Sequence, residues 1–250
     1  MNTTDFDQLI QDALAHEFTG WDFSHLAGRW REDNPTWSYR QEVMAAVAEA
    51  TALLDMGTGG GEFLASLPQR PRLTCATEGY EPNLPLARAT LAPLGVEVSP
   101  LPDGDQLPFA DEMFDLVINR HESFDPYEVY RVLKPNGRFI TQQVGGRDNI
   151  GLNEWLQDKV QLSYGTWDLA TAVHGLAQAG FHLATQREEF PLTTFNDIGA
   201  VVYYLKAIPW QVDGFEVETH GQQLWALHGH IQNSGSFTAH SHRFYIEATK

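Results

Sequence analysis

The chain has 250 residues, of which 42% are hydrophobic, and Cys75 is its one cysteine, which excludes an internal disulfide. Its 33 acidic and 16 basic residues give a formal net charge of −17 at pH 7. A surface this acidic repels phosphate backbones and anionic lipids, so nucleic acids and membrane surfaces are poor partners.

The N-terminal stretch MNTTDFDQLIQDALAHEF has no basic region ahead of an apolar segment. It therefore differs from a secretory signal. No apolar stretch reaches the about 18 residues that a membrane span requires. Together with the cysteine content, these features predict a cytoplasmic protein that does not enter membranes.

The first fifty residues predict a helical and aromatic segment. Apolar side chains recur at helical spacing over residues 1–20, which indicates an amphipathic helix. The following stretch, GWDFSHLAGRWREDNPTWSYR, is unusually aromatic, and we expect it to be irregular. A second helix is expected over QEVMAAVAEA.

From Ala52 onward, apolar strand patterns alternate with helical ones. The predicted strands are ALLDMG, LTCATEGY, VEVSPLP, FDLVINRH and RFITQQVG, and the predicted helices between them include GEFLASL, EPNLPLARATLAPLG and DPYEVYRVLKPNG. This order predicts an α/β fold with a Rossmann-like, doubly wound and mostly parallel sheet.

The C-terminal third predicts a helix at TWDLATAVHGLAQAG and two strands, FHLATQREEF and HRFYIEATK, with the final strand antiparallel. Residues between the two strands are too many for a hairpin and hold helical patterns, which indicates an insertion. We therefore expect one structural domain with four parts: a cover over 1–50, a core over 51–190, an inserted cap over 191–236 and the last core strand over 237–250.

The stretch LLDMGTGGGEFL places a carboxylate and a glycine-rich turn between a strand and a helix. Glycines there let a ligand approach the backbone and expose N–H groups at the start of the helix. A P-loop is excluded because no Gly-Lys-Ser/Thr sequence follows Gly61. A dinucleotide fingerprint is incomplete, because Glu62 stands where its third glycine belongs and would repel a pyrophosphate.

Glu78 falls at the end of the next predicted strand. An acid at this position of an open α/β sheet can accept both hydroxyls of a ribose. The alternative is a solvated loop glutamate.

Four segments in order, LLDMGTGGGEFL, ATEGYEPNLPLARA, DGDQLPFADEMFDLVINRHE and YRVLKPNGRFI, resemble the class I S-adenosylmethionine-dependent methyltransferases. The chain is similar to the small-molecule group (type 11) that includes quinone-biosynthesis C-methyltransferases. The resemblance covers about residues 50–145. It implies S-adenosylmethionine as the cofactor and a small-molecule methyl acceptor. KPNG replaces the usual KPGG of the group, a change that Asn tolerates because it adopts left-handed φ.

The resemblance also implies the donor-binding residues. Asp55 and the backbone of the glycine turn would hold the methionine part, and Glu78 would take the ribose hydroxyls with Gly79 or Tyr80 beside it. Asp103 would lie near the adenine amino group and Gly104 would offer its N–H, with Asp105 as a competing choice. Asn119 would face the donor. The complete set is Asp55, Gly57, Gly59, Gly61, Glu78, Gly79, Tyr80, Asp103, Gly104 and Asn119.

Methyl transfer depends mostly on placing the nucleophile and excluding water, and a general base is needed only for a protonated acceptor. His121, which follows the fourth core strand, is the candidate catalytic residue, as a base or as an orienting group. The alternative is a loop histidine bonded to backbone. Glu122 is a second candidate, although it could simply begin a helix. Gln142 and Gln143 point to opposite faces of the fifth strand, so at most one lines a pocket.

Two aromatic segments, 18–40 and 191–236, are expected to meet over the donor and to form a dry site for a partly apolar acceptor. Their aromatic residues could equally be the core of the cover. Two histidine pairs, His228/His230 and His240/His242, would share a face on a strand, but they lack further ligands, so we expect no metal site.

The sequence thus predicts methyl transfer from S-adenosylmethionine to a small, partly apolar acceptor. Alternatives are an RNA-base methyltransferase with the same core, for which no basic groove or zinc module is visible, and a non-catalytic S-adenosylmethionine-binding protein. A dinucleotide-dependent oxidoreductase ranks last because of Glu62. The sequence leaves the oligomeric state open.

Overall fold

A computed structural model describes residues 3–18, 23–101 and 106–250. The strands of these residues are β1 Trp30–Glu32, β2 Ala52–Met56, β3 Leu73–Glu78, β4 Glu97–Pro100, β5 Phe114–Arg120, β6 Leu133–Val144, β7 His182–Glu189, β8 Leu192–Phe195, β9 Phe237–His240 and β10 Arg243–Thr249. Their helices are α1 Thr3–Ala15, α2 Tyr39–Val47, α3 Glu62–Ala65, α4 Leu84–Leu91, α5 Pro126–Val132, α6 Ile150–Leu156, α7 Leu169–Ala179, α8 Ile198–Ala207 and α9 Gly221–Ser234.

These elements form two compact units. We call one the three-stranded unit; it comprises the described residues of Met1–Pro35, Gly145–Trp167 and Glu189–Arg243. The other, the seven-stranded unit, comprises the described residues of Thr36–Val144, Asp168–Glu188 and Phe244–Lys250. The predicted core over 51–190 thus differs from the structure at residues 145–167, which pack with the three-stranded unit.

The seven-stranded unit holds the sheet that the alternating pattern predicts. Its strand order is β4-β3-β2-β5-β6-β10-β7. The sheet is mostly parallel with one antiparallel strand, which confirms the predicted Rossmann-like fold. The chain winds outward from β2 to β4 and then returns to place β5 on the other side of β2. Ligands of open α/β sheets bind at such a switch point, outside the carboxyl ends of the strands.

Apolar side chains explain why β2 lies in the middle of this sheet. All five residues of β2 are buried, as expected for a parallel strand that is covered on both faces. On one face, Leu53 and its neighbours Leu116 and Ile118 on β5 pack against α2, α3 and α4 in a common core. This packing holds the ends of β2 and β5 next to each other.

Two helices of this unit lie close to their predicted ranges, although α2 begins two residues before QEVMAAVAEA and ends at Val47. The Ser38 side chain accepts a hydrogen bond from the Gln41 N–H at 3.3 Å and caps α2. Gly180 ends α7 with a φ of 104°, a left-handed conformation that favours glycine. Asn136 of the KPNG turn also has a positive φ of 64°, as expected from its tolerance of left-handed backbone.

The three-stranded unit contains structure that the sequence analysis did not foresee. Residues 30–32, expected to be irregular, form β1 and pair with β8, with Trp30 opposite Phe195. β9 pairs with the other side of β8. Residues 30–32 of segment 18–40 thus contact residues 193–195 of segment 191–236 inside this unit. A cover formed by the two segments over a methyl donor stays a prediction.

The aromatic side chains of these segments are largely used in the core of their own unit. Phe195, Tyr203 and Tyr204 are buried there, and Trp30 packs against the same cluster. Trp37 and Tyr39 instead belong to the core of the seven-stranded unit. Trp210 is half exposed, and Trp21 lies outside the described residues.

The last predicted strand, 237–250, is divided in the structure. β9 belongs to the three-stranded sheet and β10 to the seven-stranded one. Between them, the Ser241 N–H donates to the Pro191 carbonyl at 2.8 Å, and the His242 N–H donates to Asp148 Oδ1 at 2.7 Å. These two bonds replace ladder pairing and end β9.

Candidate functional site: the carboxyl edge of the seven-stranded sheet

The glycine turn after β2 carries the first part of the site. Gly57, Gly59 and Gly61 all have a positive φ, between 63° and 86°. A Cβ on Gly59 would meet nothing within 4 Å, so the backbone there is open to a ligand. A Cβ on Gly61 would lie 2.7 Å from Leu91 Cγ, so this glycine allows α3 and α4 to pack closely.

Asp55 lies at the end of β2, directly under this turn. Its side chain is 4% exposed, and its Oδ2 accepts a hydrogen bond from the Thr58 hydroxyl at 2.8 Å. Burial raises the pKa of Asp55 to about 7, and the nearby Glu78 charge adds to this shift while Thr58 opposes it. A cationic ligand would therefore be favoured beside the ionised carboxylate.

Glu78 ends β3, as predicted, and its carboxylate faces the glycine turn. Oε2 accepts from the Gly59 N–H at 2.6 Å, and Oε1 accepts from the Tyr80 N–H at 2.7 Å. Burial raises the pKa of Glu78, whereas these backbone N–H groups lower it. The structure thus brings Glu78 to the position at which an acid can accept ribose hydroxyls.

The neighbours of Glu78 have different surroundings. Gly79 lies so close to Leu101 that a Cβ would be 2.7 Å from the Leu101 carbonyl oxygen. The Tyr80 side chain is 63% exposed. The predicted adenine-binding residues Asp103 and Gly104, and the competing Asp105, lie outside the described residues.

Asn119 is the next-to-last residue of β5, pairs with Met56 of β2 and is fully buried. Its Oδ1 accepts from the Thr141 hydroxyl at 2.8 Å and from Gln143 Nε2 at 2.6 Å. Gln143 Nε2 also lies 3.0 Å from the Glu122 carbonyl oxygen. Asn119 thus helps to hold the loop that follows β5, and its predicted contact with the donor stays a prediction.

Near the carboxyl ends of β3 and β5, two buried side-chain atoms have no hydrogen-bond partner among the described residues. They are Asn119 Nδ2 and Thr77 Oγ1, on the residues that flank Met56 in the two neighbouring strands. Buried polar groups are seldom left unpaired in folded proteins. Their placement beside the open glycine turn fits a site that a polar ligand or water completes.

His121 and Glu122 lie in the loop after β5. His121 has a left-handed φ of 61°, uncommon for a residue with a side chain, and its imidazole Nε2 lies 3.1 Å from Gln142 Nε2. The Glu122 side chain lies against Gly57 so closely that any Cβ on Gly57 would overlap it. Both predicted candidates therefore belong to the same edge as the glycine turn.

Sequence reasoning used Glu62 as an argument against a dinucleotide and missed Tyr39 at this edge. Glu62 folds over Gly60, so Asp55, Glu62, Glu78 and Glu122 all border the glycine turn. Tyr39, at the start of α2, is buried with Arg120 5.8 Å from its ring centroid, and burial together with the Asp55 charge raises the pKa of its hydroxyl. Only the Glu62 position had a local signal, since it follows the turn directly.

Gln142 and Gln143 point to opposite faces, as predicted. Gln142 contacts Trp37 and His121, whereas Gln143 contacts Asn119 and Thr141. Gln142 is therefore the one that accompanies the candidate catalytic histidine.

The histidine pairs differ from the expected geometry. His228 and His230 lie on helix α9 rather than on a strand, and residues two apart do not face each other on a helix. His240 ends β9, and the buried His242 follows it. Within the described ranges, no group of three or more His, Cys, Asp or Glu side chains could hold a metal ion.

The seven-stranded unit has the Rossmann-like fold of class I S-adenosylmethionine-dependent methyltransferases, and the comparisons with known proteins support that class. Residues 54–141 match the family model described as a methyltransferase domain. The match contains the glycine turn, Glu78, Asn119 and His121. It gives S-adenosylmethionine as the cofactor.

Solved structures share the fold. A proposed methyltransferase from Bacillus halodurans C-125 is 19% identical, with a TM-score of 0.59, over 84% of this chain and 98% of that one. A functionally unknown protein from Deinococcus radiodurans R1 is 14% identical, with a TM-score of 0.57, over 90% and 97% of the two chains. An S-adenosylmethionine-dependent methyltransferase from Mesorhizobium loti is 15% identical, with a TM-score of 0.50, over 85% of this chain and 98% of that one.

Among curated proteins, none matches this chain. No helix in the described residues is long and apolar enough to cross a membrane.

Proposed function

We propose that the protein transfers a methyl group from S-adenosylmethionine to a small, partly apolar acceptor. The observation that supports this most directly is the pairing of the open glycine turn with Glu78, whose carboxylate accepts from the Gly59 N–H at 2.6 Å. When bound, S-adenosylmethionine supplies an electrophilic methyl group on a sulfonium centre.

The residues of the edge fit this cofactor. Glu78 would accept the ribose hydroxyls, and the glycine turn would let the ligand approach the backbone closely, because a Cβ on Gly59 would meet nothing within 4 Å. The carboxylates of Asp55, Glu62 and Glu122 favour a positively charged ligand over a pyrophosphate. Asn119 would keep the loop after β5 in place for His121.

Two arguments support a small acceptor. The net charge of −17 disfavours a polyanionic acceptor such as RNA. In addition, the sequence contains no run of Lys or Arg that would form a basic groove for RNA. The cover by segments 18–40 and 191–236 belongs to the same proposal.

Calorimetry tests whether the protein binds S-adenosylmethionine as its methyl donor. We expect saturable binding of S-adenosylmethionine and S-adenosylhomocysteine and no binding of NAD. Saturable NAD binding without any response to the adenosyl ligands would overturn the assignment.

Transfer of a labelled methyl group tests the acceptor class. The protein and labelled S-adenosylmethionine are incubated with a fractionated cell extract, and we expect label in the small-molecule, solvent-extractable fraction. Label in the RNA fraction would instead identify the RNA-base alternative, and adenosyl binding without transfer into any fraction would identify a non-catalytic binding protein.

A further inference from the structure

Three side chains form a hydrogen-bonded chain behind the glycine turn. Trp37 Nε1 donates to Gln142 Oε1 at 2.8 Å, and Gln142 Nε2 lies 3.1 Å from His121 Nε2. The His121 backbone N–H also donates to the Gln142 carbonyl at 2.8 Å. Gln142 therefore holds His121 through both its main chain and its side chain.

The chemistry of Trp37 determines the direction of this chain. An indole N–H can only donate, so the Gln142 atom that faces it must be the amide oxygen. The amide nitrogen then faces His121, and an amide nitrogen can only donate. His121 Nε2 must therefore accept, which places the proton of the neutral imidazole on Nδ1.

The surroundings keep the amide in this orientation. Trp37 is 5% exposed and Gln142 is 6% exposed. Turning the amide by half a turn would place its nitrogen against the indole N–H and leave a buried donor without an acceptor, which is unfavourable. An imidazolium at His121 would likewise bring two N–H donors together at Nε2.

We infer that Trp37 and Gln142 are positioning residues that hold His121 as the neutral tautomer with its proton on Nδ1. Nδ1 then carries the hydrogen-bond donor of the His121 ring, and Nε2 accepts from Gln142. The next step rests on the proposed function. His121 orients the methyl acceptor by donating a hydrogen bond to it, and it does not remove a proton from the acceptor. This favours acceptors whose nucleophile carries no proton at working pH and that offer an oxygen to the histidine.

Nuclear magnetic resonance on the full-length protein tests the tautomer directly. Nitrogen-15 labelling and two-bond correlations show which imidazole nitrogen is protonated, and His121→Asn identifies the His121 signals. In the wild type we expect protonation at Nδ1. Gln142→Glu replaces the amide donor by a carboxylate that can accept from both neighbours, so the proton should move to Nε2.

Trp37→Phe is a second variant, which keeps an aromatic ring in the core but removes the indole donor. The Gln142 amide is then no longer fixed, and we expect signals from both tautomers of His121. The signals of His174 and His182, on other elements of the same unit, should not move in either variant and serve as controls for the fold. Protonation of His121 at Nε2 in the wild type would overturn the inference. A His121 tautomer that is the same in the wild type and in both variants would overturn it as well.

This outcome is separate from that of the proposed function, because the tautomer is measured without cofactor or turnover. If adenosyl ligands fail to bind while His121 is protonated on Nδ1, the methyltransferase proposal fails and the positioning role stands. If adenosyl ligands bind while His121 is protonated on Nε2, the methyltransferase proposal stands and the positioning role of Trp37 and Gln142 fails.

Discussion

Glu78 Oε2 accepts a hydrogen bond from the Gly59 N–H at 2.6 Å, across 19 residues of sequence. The bond joins the end of β3 to the turn that follows β2. Under the proposed function, Glu78 would accept the ribose hydroxyls, and this bond places it beside the backbone that would hold the rest of the ligand. At the carboxyl edge of the sheet, the Glu78 carboxylate and the glycine turn therefore lie next to each other.

Replacement of Glu78 should weaken the binding of adenosyl ligands. Hydrogen bonds to a charged group contribute about 1.5–3 kcal/mol, so Glu78→Gln should lower the affinity for S-adenosylhomocysteine by roughly 10- to 100-fold. Calorimetry measures the dissociation constant. Glu81→Gln, an exposed acid on the same loop, should leave it unchanged. An unaltered affinity in Glu78→Gln would show that Glu78 is a structural loop acid.

Asp55 should make stability fall as the pH rises. Burial raises its pKa to about 7, so the folded protein binds this proton more tightly than the unfolded chain does. The stability from this group is therefore complete below about pH 4 and is lost as the pH rises to about 7. Asp55→Asn removes this loss.

The free energy of unfolding, measured in urea, should therefore increase in Asp55→Asn relative to the wild type between about pH 4 and pH 8, by up to about 4 kcal/mol. The exposed Asp213→Asn should show no such change with pH. A difference between Asp55→Asn and wild type that stays constant with pH would contradict the burial of an ionisable carboxyl group at this position.

Gly57 and Gly95 allow a matched comparison of two left-handed glycines. Their φ values are 69° and 71°, but only at Gly57 does an added Cβ meet another residue, the Glu122 side chain, whereas Gly95 faces open space. Gly95→Ala should cost about 1–2 kcal/mol from backbone strain alone. Gly57→Ala should cost more, because the loop after β5 must also move.

Thermal unfolding and S-adenosylhomocysteine binding measure the two effects for the glycine pair. We expect a lower melting temperature for Gly57→Ala than for Gly95→Ala, and weaker binding only in the former. Equal losses of stability with intact binding in both variants would mean that Glu122 does not lie against the turn.

Arg243 should be essential to the stability of the three-stranded unit. Its guanidinium is nearly buried and pairs with Asp148 at 2.5 Å and with Glu32 at 2.7 Å. Removing one partner of a buried ion pair leaves an uncompensated charge and typically costs about 3–5 kcal/mol. Arg243→Ala should therefore unfold this unit at a lower urea concentration.

The neighbouring Arg31 is a suitable control for Arg243, because it is largely exposed and pairs with Asp33 at 3.3 Å. Arg31→Ala should change the free energy of unfolding by less than about 1 kcal/mol. The deficit of Arg243→Ala should shrink at acidic pH, since burial raises the pKa of Glu32 and this acid then loses its charge early. Similar effects of both substitutions would contradict the ion-pair argument.

The sequence by itself determined the strands of the seven-stranded sheet and the glycine turn that follows β2. Buried parallel strands appear as continuous apolar runs, as in ALLDM, and the turn after them requires glycines because its backbone is left-handed. The end of β3 at Glu78 follows from the same local pattern. These features depend on neighbouring residues in the chain, so they can be predicted from it.

Only the tertiary structure decided which distant residues meet. The pairing of β1 with β8 gives regular structure to a segment without a strand pattern, and the contacts of Ser241 and His242 divide the last predicted strand. Trp37 and Gln142 are 105 residues apart, and no local signal links them. Their hydrogen bond forms because the fold places the start of α2 beside the end of β6, and this long-range packing, absent from any single stretch of sequence, decides the orientation of the Gln142 amide beside His121.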